Sequence, residues 1–201
     1  MTTTTPRGRP REFDRAAALE KALLLFWERG YEATSMAALT AATGVGAPSL
    51  YAAFGSKREL FDEVVHEYSR KHHAFIAKAL LEEPTLKAGM ARMLREAAEN
   101  YTRPDLPHGC LVISAAVNCS TTEVRQALQT QRANDLEALE RLIRLAIDNG
   151  ELPTDTDASA LAIFTSVTMQ GMASQARDGT GRSKLEAVAA LALEALPWTA
   201  T

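Results

Sequence analysis

The side chains of this chain that could do chemistry fall into three groups. The histidines are His66, His72, His73 and His108, and His66 and His73 share one helical face seven residues apart. A metal would need further carboxylate or thiolate ligands at fixed spacing. His-Glu-x-x-His and Cys-x-x-Cys are both absent, as are Gly-x-Ser-x-Gly and the phosphate-cradling P-loop. Paired acids such as Glu82 and Glu83 fall at a helix end and read as a solvated face. No enzyme, metal or cofactor is expected. The second group is Cys110 and Cys119. Cys110 follows Gly109 near a predicted helix start, where the dipole and free amides would favour thiolate; the competing reading is a small buried hydrophobe. If one helix spans both cysteines they stand about 13 Å apart along its axis, too far for a disulfide. The third group comprises hydroxyls and a cation: Thr34 or Ser35 at a predicted helix N-terminus, then Tyr51 and Lys57. Hydroxyls beside the free N–H groups of a helix start suit a phosphate, and so does a lysine at the start of the next helix.

The elements that must hold these groups follow from a 3.6-residue apolar period that runs nearly everywhere. Asp14 is an N-cap, and Leu19, Ala22, Leu23, Phe26 and Trp27 make the first apolar stripe, ended by Gly30. A short helix carries Met36, Leu39 and Ala42 until Gly44-Val45-Gly46 breaks it, and Pro48 fits the first turn of a third. Ser56-Lys57-Arg58-Glu59 is a capping box opening a long fourth helix to about Leu81. Further helices are expected from Pro84 to about Tyr101, from about Gly109 to Cys119, and from Ser120 to Gly150. Two more run from Thr154 or Asp155 to about Asp178 and from Ser183 to Pro197. The fold class is all-α, with about nine helices and no convincing strand. Within it, residues 34–57 read as a helix-turn-helix, with the exposed face of residues 47–53 able to reach base edges in a major groove. An ordinary helical hairpin, with Tyr51 and Phe54 as core aromatics, is the competing reading.

Composition bounds the answer without choosing it. The chain has 201 residues, 46% of them hydrophobic and 23% charged, and a formal charge of −3. That charge is uneven: residues 1–72 carry ten Lys/Arg against nine Asp/Glu, and Arg7, Arg9 and Arg11 stand within five residues as a basic arm. The longest aliphatic run, residues 187–193, is far short of the roughly 20 needed to span a bilayer. The N-terminus has no apolar segment of a secretory signal, so the expected location is the cytoplasm, without membrane attachment.

The runs Gly30-Tyr31-Glu32-Ala33-Thr34-Ser35, Gly44-Val45 and Pro48-Ser49-Leu50-Tyr51-Ala52-Ala53-Phe54-Gly55-Ser56-Lys57 closely resemble the tetracycline-repressor (TetR/AcrR) family of bacterial regulators. Gly109-Cys110-Leu111-Val112 and the stretch from Met169 to Gly179 are similar to one large subgroup of it. The resemblance implies a basic arm at residues 1–13, a helix-turn-helix DNA-binding domain at 14–56 and a regulatory, ligand-binding and dimerisation domain at 57–201. It implies a transcriptional regulator, most often a repressor, that binds palindromic double-stranded operator DNA as a homodimer and releases it to a small-molecule inducer or on thiol modification. The alternative is a helical adaptor without DNA binding. Carried over by residue, Thr34, Ser35, Tyr51 and Lys57 match backbone contacts, and Ala47, Pro48 and Ser49 match the base-facing turn. Arg7, Arg9 and Arg11 match an arm that enters the minor groove. Gly46, Ala47, Ala52 and Ala53 are a departure, because few long polar side chains remain for bidentate base reading.

For the inducer, the expected lining is Met90, Met93, Tyr101, Cys110, Ile113, Val117, Phe164 and Thr168, with no charged clamp evident and hence a neutral or weakly polar ligand. For the dimer, Gly171, Ala173, Ser174 and Ala176 would let a second helix approach. Val188 and Leu191 belong to an aliphatic stripe that would complete a four-helix bundle. The fourth helix is expected to carry the signal between domains.

Overall fold

The computed structural model describes residues 13–116 and 119–199. The described helices are α1 (Arg15–Arg29), α2 (Met36–Thr43), α3 (Ala47–Phe54), α4 (Lys57–Tyr68), α5 (Ala74–Glu82), α6 (Leu86–Tyr101), α7 (Leu111–Ser114), α8 (Thr122–Asp148), α9 (Ala158–Arg177) and α10 (Arg182–Glu194). A π-helical turn, Ser69–His73, joins α4 to α5 without a break, so residues 57–82 form one rod and the described helices number nine. No strand occurs among the described residues.

Local chemistry sets the first half of the chain. Asp14 accepts from the Ala17 N–H at 3.0 Å, Ser35 from Ala38 at 3.1 Å and Ser56 from Glu59 at 3.1 Å. Each cap satisfies an amide that a helix start leaves unpaired. Gly44 ends α2 in the left-handed conformation, with φ 74°. Thr43 then locks the turn into α3: its hydroxyl donates to Leu39 O at 2.7 Å and accepts from the Val45 N–H at 3.2 Å. α1 is fastened to α4 by rings. Phe26 meets Phe61 edge-on at 5.1 Å, and Trp27 meets Tyr68 edge-on at 4.8 Å. Such pairs add to the burial energy of the side chains themselves.

In the second half, α6 is the central helix and packs on α5, α9 and α10. Its crossing with α5 is close because residue 89 is glycine; a Cβ there would lie 2.9 Å from Ala79 O and 3.2 Å from Leu80 Cα. α8 runs alongside α9, and α7 bridges from α1 and α4 to both.

Several expected boundaries move. α7 is a single turn rather than a helix from Gly109 to Cys119. Gly109 sits at φ 82°, outside helical space, so the helix begins only at Leu111. Cys119 lies beyond it, so the one-helix argument about the two thiols does not apply; both are free and buried. Ser120 does not cap α8; its hydroxyl donates to Glu32 Oε1 at 2.9 Å, and the N-cap residue is Thr121. α9 starts at Ala158, capped by Asp157, which accepts from the Ala160 N–H at 3.0 Å. A turn from Thr156 N–H to Pro153 O delays it past Thr154 and Asp155. α10 is entered from Gly181 rather than Ser183.

Candidate nucleic-acid interface and regulatory cavity

α2 and α3 contain no charged residue: from Met36 to Phe54 every side chain is neutral. α3 buries Leu50 and Phe54 and leaves Pro48, Ser49 and Ala52 exposed, with Tyr51 48% exposed and Ala47 half-buried. The exposed Tyr51 excludes the hairpin reading in which it is a core aromatic, whereas Phe54 is core. This surface is low in relief, and it can approach another polymer's backbone closely without Coulombic penalty.

Around that face stand the groups that suit phosphate. Ser35 is exposed at the N-cap of α2. Lys57 is the first residue of α4, with its Nζ 4.1 Å from the centroid of the Tyr31 ring. Burial pulls the Lys57 pKa below its ordinary value. A cation at the positive end of a helix dipole gains from any anion that joins it. Thr34 is a correction. It is wholly buried, and its hydroxyl donates to Gly30 O at 2.7 Å, so it ties the turn after α1 and offers nothing to a phosphate. Arg7, Arg9 and Arg11 lie outside the described residues.

Two braces went unseen in the sequence. Arg15 places its guanidinium 4.4 Å from the Phe54 ring centroid and donates to Glu63 Oε1 at 2.6 Å, holding the end of α3 against α1 and α4. Lys21 donates to Thr43 O at 3.3 Å at the end of α2. Neither has a local pattern, since both partners are distant in sequence.

Between the π-helical turn, α5, α6, α7, α8 and α9 lies a cavity of about 630 Å³. Met93, Tyr101, Cys110 and Ile113 are among the residues that line it. Met90 does not; it is fully buried in the core. Phe164 is 41% exposed on the outer side of α9, and Thr168 donates its hydroxyl to Phe164 O at 2.9 Å; neither reaches the cavity. Val117 lies outside the described residues. The wall also includes Ser69 and His73, brought round by the π-helical turn, together with Gln131, Arg132, Asp135 and Leu136 of α8. Charged groups are therefore present, contrary to the sequence reading, and of opposite sign. Arg132 donates to Val112 O at 3.2 Å, and Asp135 accepts from Gln131 at 3.0 Å. Burial lowers the His73 pKa, with Asp135 opposing that shift. Burial raises the Cys110 thiol above its usual range, in line with the reading of Cys110 as a small buried hydrophobe rather than a thiolate at a helix start. One helical turn is too short to supply that dipole.

Elsewhere on α9, Gly171 and Ser174 are exposed, as are Ile163, Phe164 and Val167. α10 adds Val188 at 43% and Leu191 at 66% exposure. Ala173 and Ala176, grouped with this face from the sequence, are buried inside the protomer instead.

Residues 18–64 match the family described as bacterial regulatory proteins, tetR family, and residues 87–191 match the tetracyclin repressor-like C-terminal domain. The chain is 36% identical over 200 residues to the HTH-type transcriptional repressor ComR of Escherichia coli, covering 95% of this chain and 92% of that protein. It is 32% identical over 190 residues to the HTH-type transcriptional repressor BdcR of the same organism, covering 94% and 92%. Among solved structures, a cysteine mutant of the TetR family transcriptional regulator CifR, complexed with 26-bp double-strand operator DNA, superposes with a TM-score of 0.89. It is 41% identical, covering 94% of this chain and 100% of that one.

Proposed function

Because the chain belongs to the TetR family of bacterial transcriptional regulators, we propose that it is a homodimeric repressor that holds a palindromic operator through α2 and α3 and releases it when a small molecule fills the cavity. At the coarser level it is a DNA-binding transcriptional regulator. The observation that carries the finer reading is the uncharged face of α2 and α3, flanked by Ser35 and Lys57, which would take phosphates on either side of a groove. Ala47, Pro48 and Ser49 would face bases and Tyr51 the backbone. With such short side chains, selectivity would rest on thymine methyls, Ser49 and DNA shape. The arm carrying Arg7, Arg9 and Arg11 would add minor-groove charge. Residues 14–56 serve as the DNA-binding module and 57–201 as the regulatory one, working in the cytoplasm beside the chromosome.

Dimerisation would use the exposed apolar faces of α9 and α10, through Gly171, Ser174, Val188 and Leu191. An inducer would sit against Met93, Tyr101, Cys110 and Ile113, with its polar end toward Arg132 and Asp135. A small molecule is favoured over thiol chemistry because burial keeps Cys110 protonated. Selection of bound sites from random duplexes, followed by a salt titration, tests the function. A repressor of this kind enriches a two-fold symmetric sequence and loses affinity steeply with salt; a helical adaptor does neither.

A further inference from the structure

The turn after α1 leaves the DNA-binding end of the molecule and grips the start of α8. Glu32 stands in that turn. Its Oε1 accepts from the backbone N–H groups of Ser120 and Thr121, both at 2.8 Å, and from both hydroxyls at 2.9 Å. α8 begins at Thr122, and no side chain of its own N-cap residue, Thr121, bonds to its first turn. The acceptor for that entry comes from 88 residues earlier in the chain. A carboxylate there also faces the positive end of a 27-residue helix. Those hydrogen bonds hold the Glu32 carboxyl down to about 2, so it remains ionised through the neutral range.

On its other side Glu32 is tied to the groups that suit phosphate. Tyr31, next to it, packs edge-on against Phe61 at 5.0 Å and carries the Lys57 ammonium over its ring. Ser35 follows three residues later. α8, meanwhile, walls the cavity with Arg132, Asp135 and Leu136. One carboxylate thus stands between the entry to the cavity-lining helix and the two side chains that flank the uncharged face.

We propose that Glu32 is a positioning residue for DNA binding: by clamping the α1–α2 turn to Ser120 and Thr121 at the entry to α8, it sets where Ser35 and Lys57 stand and makes the placement of α8 part of the DNA-bound state. This rests on the reading of the chain as an operator-binding regulator. The rod of residues 57–82 is the covalent connection between the two ends of the molecule; Glu32 is a second, breakable one. A displacement of α8 at the cavity that separates Ser120 and Thr121 from Glu32 frees the turn, and by linkage DNA binding resists that displacement to the same degree.

The test uses full-length protein and duplexes that the wild type selects from a random pool. Glu32→Ala loses affinity for them about fivefold or more, the equivalent of one lost cap. Ser120→Ala combined with Thr121→Ala lies on the α8 side of the clamp, outside the α2–α3 face, and weakens binding in the same direction. Glu32→Gln keeps an acceptor oxygen and recovers most of the loss. A purely structural role would lower the melting temperature without the following signature: duplex binding slows hydrogen exchange at the Ser120 and Thr121 amides in the wild type and not in Glu32→Ala. If Glu32→Ala does not fold, the Ser120/Thr121 variant and Glu32→Gln decide. Folded variants that bind with wild-type affinity, or exchange at Ser120 and Thr121 that ignores DNA in the wild type, overturn the clamp alone. A wild type that selects no duplex overturns the functional reading, and the clamp with it.

Discussion

Lys57 and Tyr31 meet as cation and ring, with the ammonium nitrogen 4.1 Å from the ring centroid. The contact fixes a flexible side chain at the first residue of α4, where burial already disfavours its charge. A phosphate arriving there removes that penalty. Lys57→Ala is expected to weaken every duplex roughly alike and to reduce the slope of log affinity against log salt by about one. Tyr51→Phe should likewise act uniformly, whereas changes at Pro48 or Ser49 alter which sequence wins. Anisotropy titrations over a salt series, on selected and scrambled duplexes, check this. An unchanged slope for Lys57→Ala removes that residue from the interface.

Thr34 and Ser35 separate cleanly by experiment. Thr34→Val breaks a buried hydrogen bond and should cost about 1–2 kcal/mol of stability, leaving the folded protein's DNA affinity intact. Ser35→Ala removes a cap worth about 1 kcal/mol and weakens DNA binding as well. Denaturant melts paired with binding curves distinguish them; a DNA defect in folded Thr34→Val would reverse the assignment.

Gly171→Glu and Leu191→Glu should each give a folded monomer with little operator affinity. A Cβ at Gly171 meets nothing within 4 Å inside the protomer, so its effect falls on association rather than folding. Sedimentation at micromolar concentration reads the outcome. Dimers that persist in the double variant place the interface elsewhere.

The His73 imidazole has its pKa lowered by burial, with Asp135 pulling the other way. The unfolded chain, with histidine near 6.5, therefore binds more protons than the folded one at mildly acidic pH. Stability is complete above about 6.5 and declines as pH falls through the folded pKa, because the unfolded state takes up the proton first. Melting temperatures at about pH 7.5 and 5.5 should show that decline, and His73→Gln should flatten it. An equal decline in the variant assigns the protons to other groups.

Cys110 and Cys119 are 1% and 5% exposed, and burial raises both thiols. A thiol titration of the native protein should show slow, incomplete reaction that becomes rapid for both in denaturant. Cys110→Ser should leave duplex affinity unchanged. Fast native labelling at Cys110 would revive thiol modification as a release signal.

The stretch from Asp14 to Lys57 was legible because its punctuation is local. Asp14, Ser35 and Ser56 cap within three residues of themselves, and Gly30 and Gly44 stop helices through conformations open to them. Thr34 was not, since hydroxyls at two neighbouring positions look alike in sequence and only burial separates them. The cavity was half legible. Met93 and Tyr101 follow from the adaptable Met and aromatic side chains that suit an irregular cavity, but nothing local in the sequence marks Arg132 and Asp135 as wall residues. The π-helical turn cannot be found from a 3.6-residue period, and it is what brings Ser69 and His73 to the cavity wall. Ser120 deceived for the opposite reason: its sequence is that of a good cap, and Glu32 takes the hydroxyl from across the fold.

The π-helical turn at Ser69–His73 also bears on how the chain tolerates changes in length. Adding one residue to a regular helix rotates everything beyond it by about 100°. A π turn absorbs one surplus residue within a single loop of the ladder, leaving both flanks in phase. Removing one residue from this segment should therefore yield an unbroken α-helical rod with Tyr68 still against Trp27 and Ala79 still against Gly89. The same deletion within α4 or α5 would turn one packed face out of the core. Length variation in this rod has one permissive site, and it lies against the cavity.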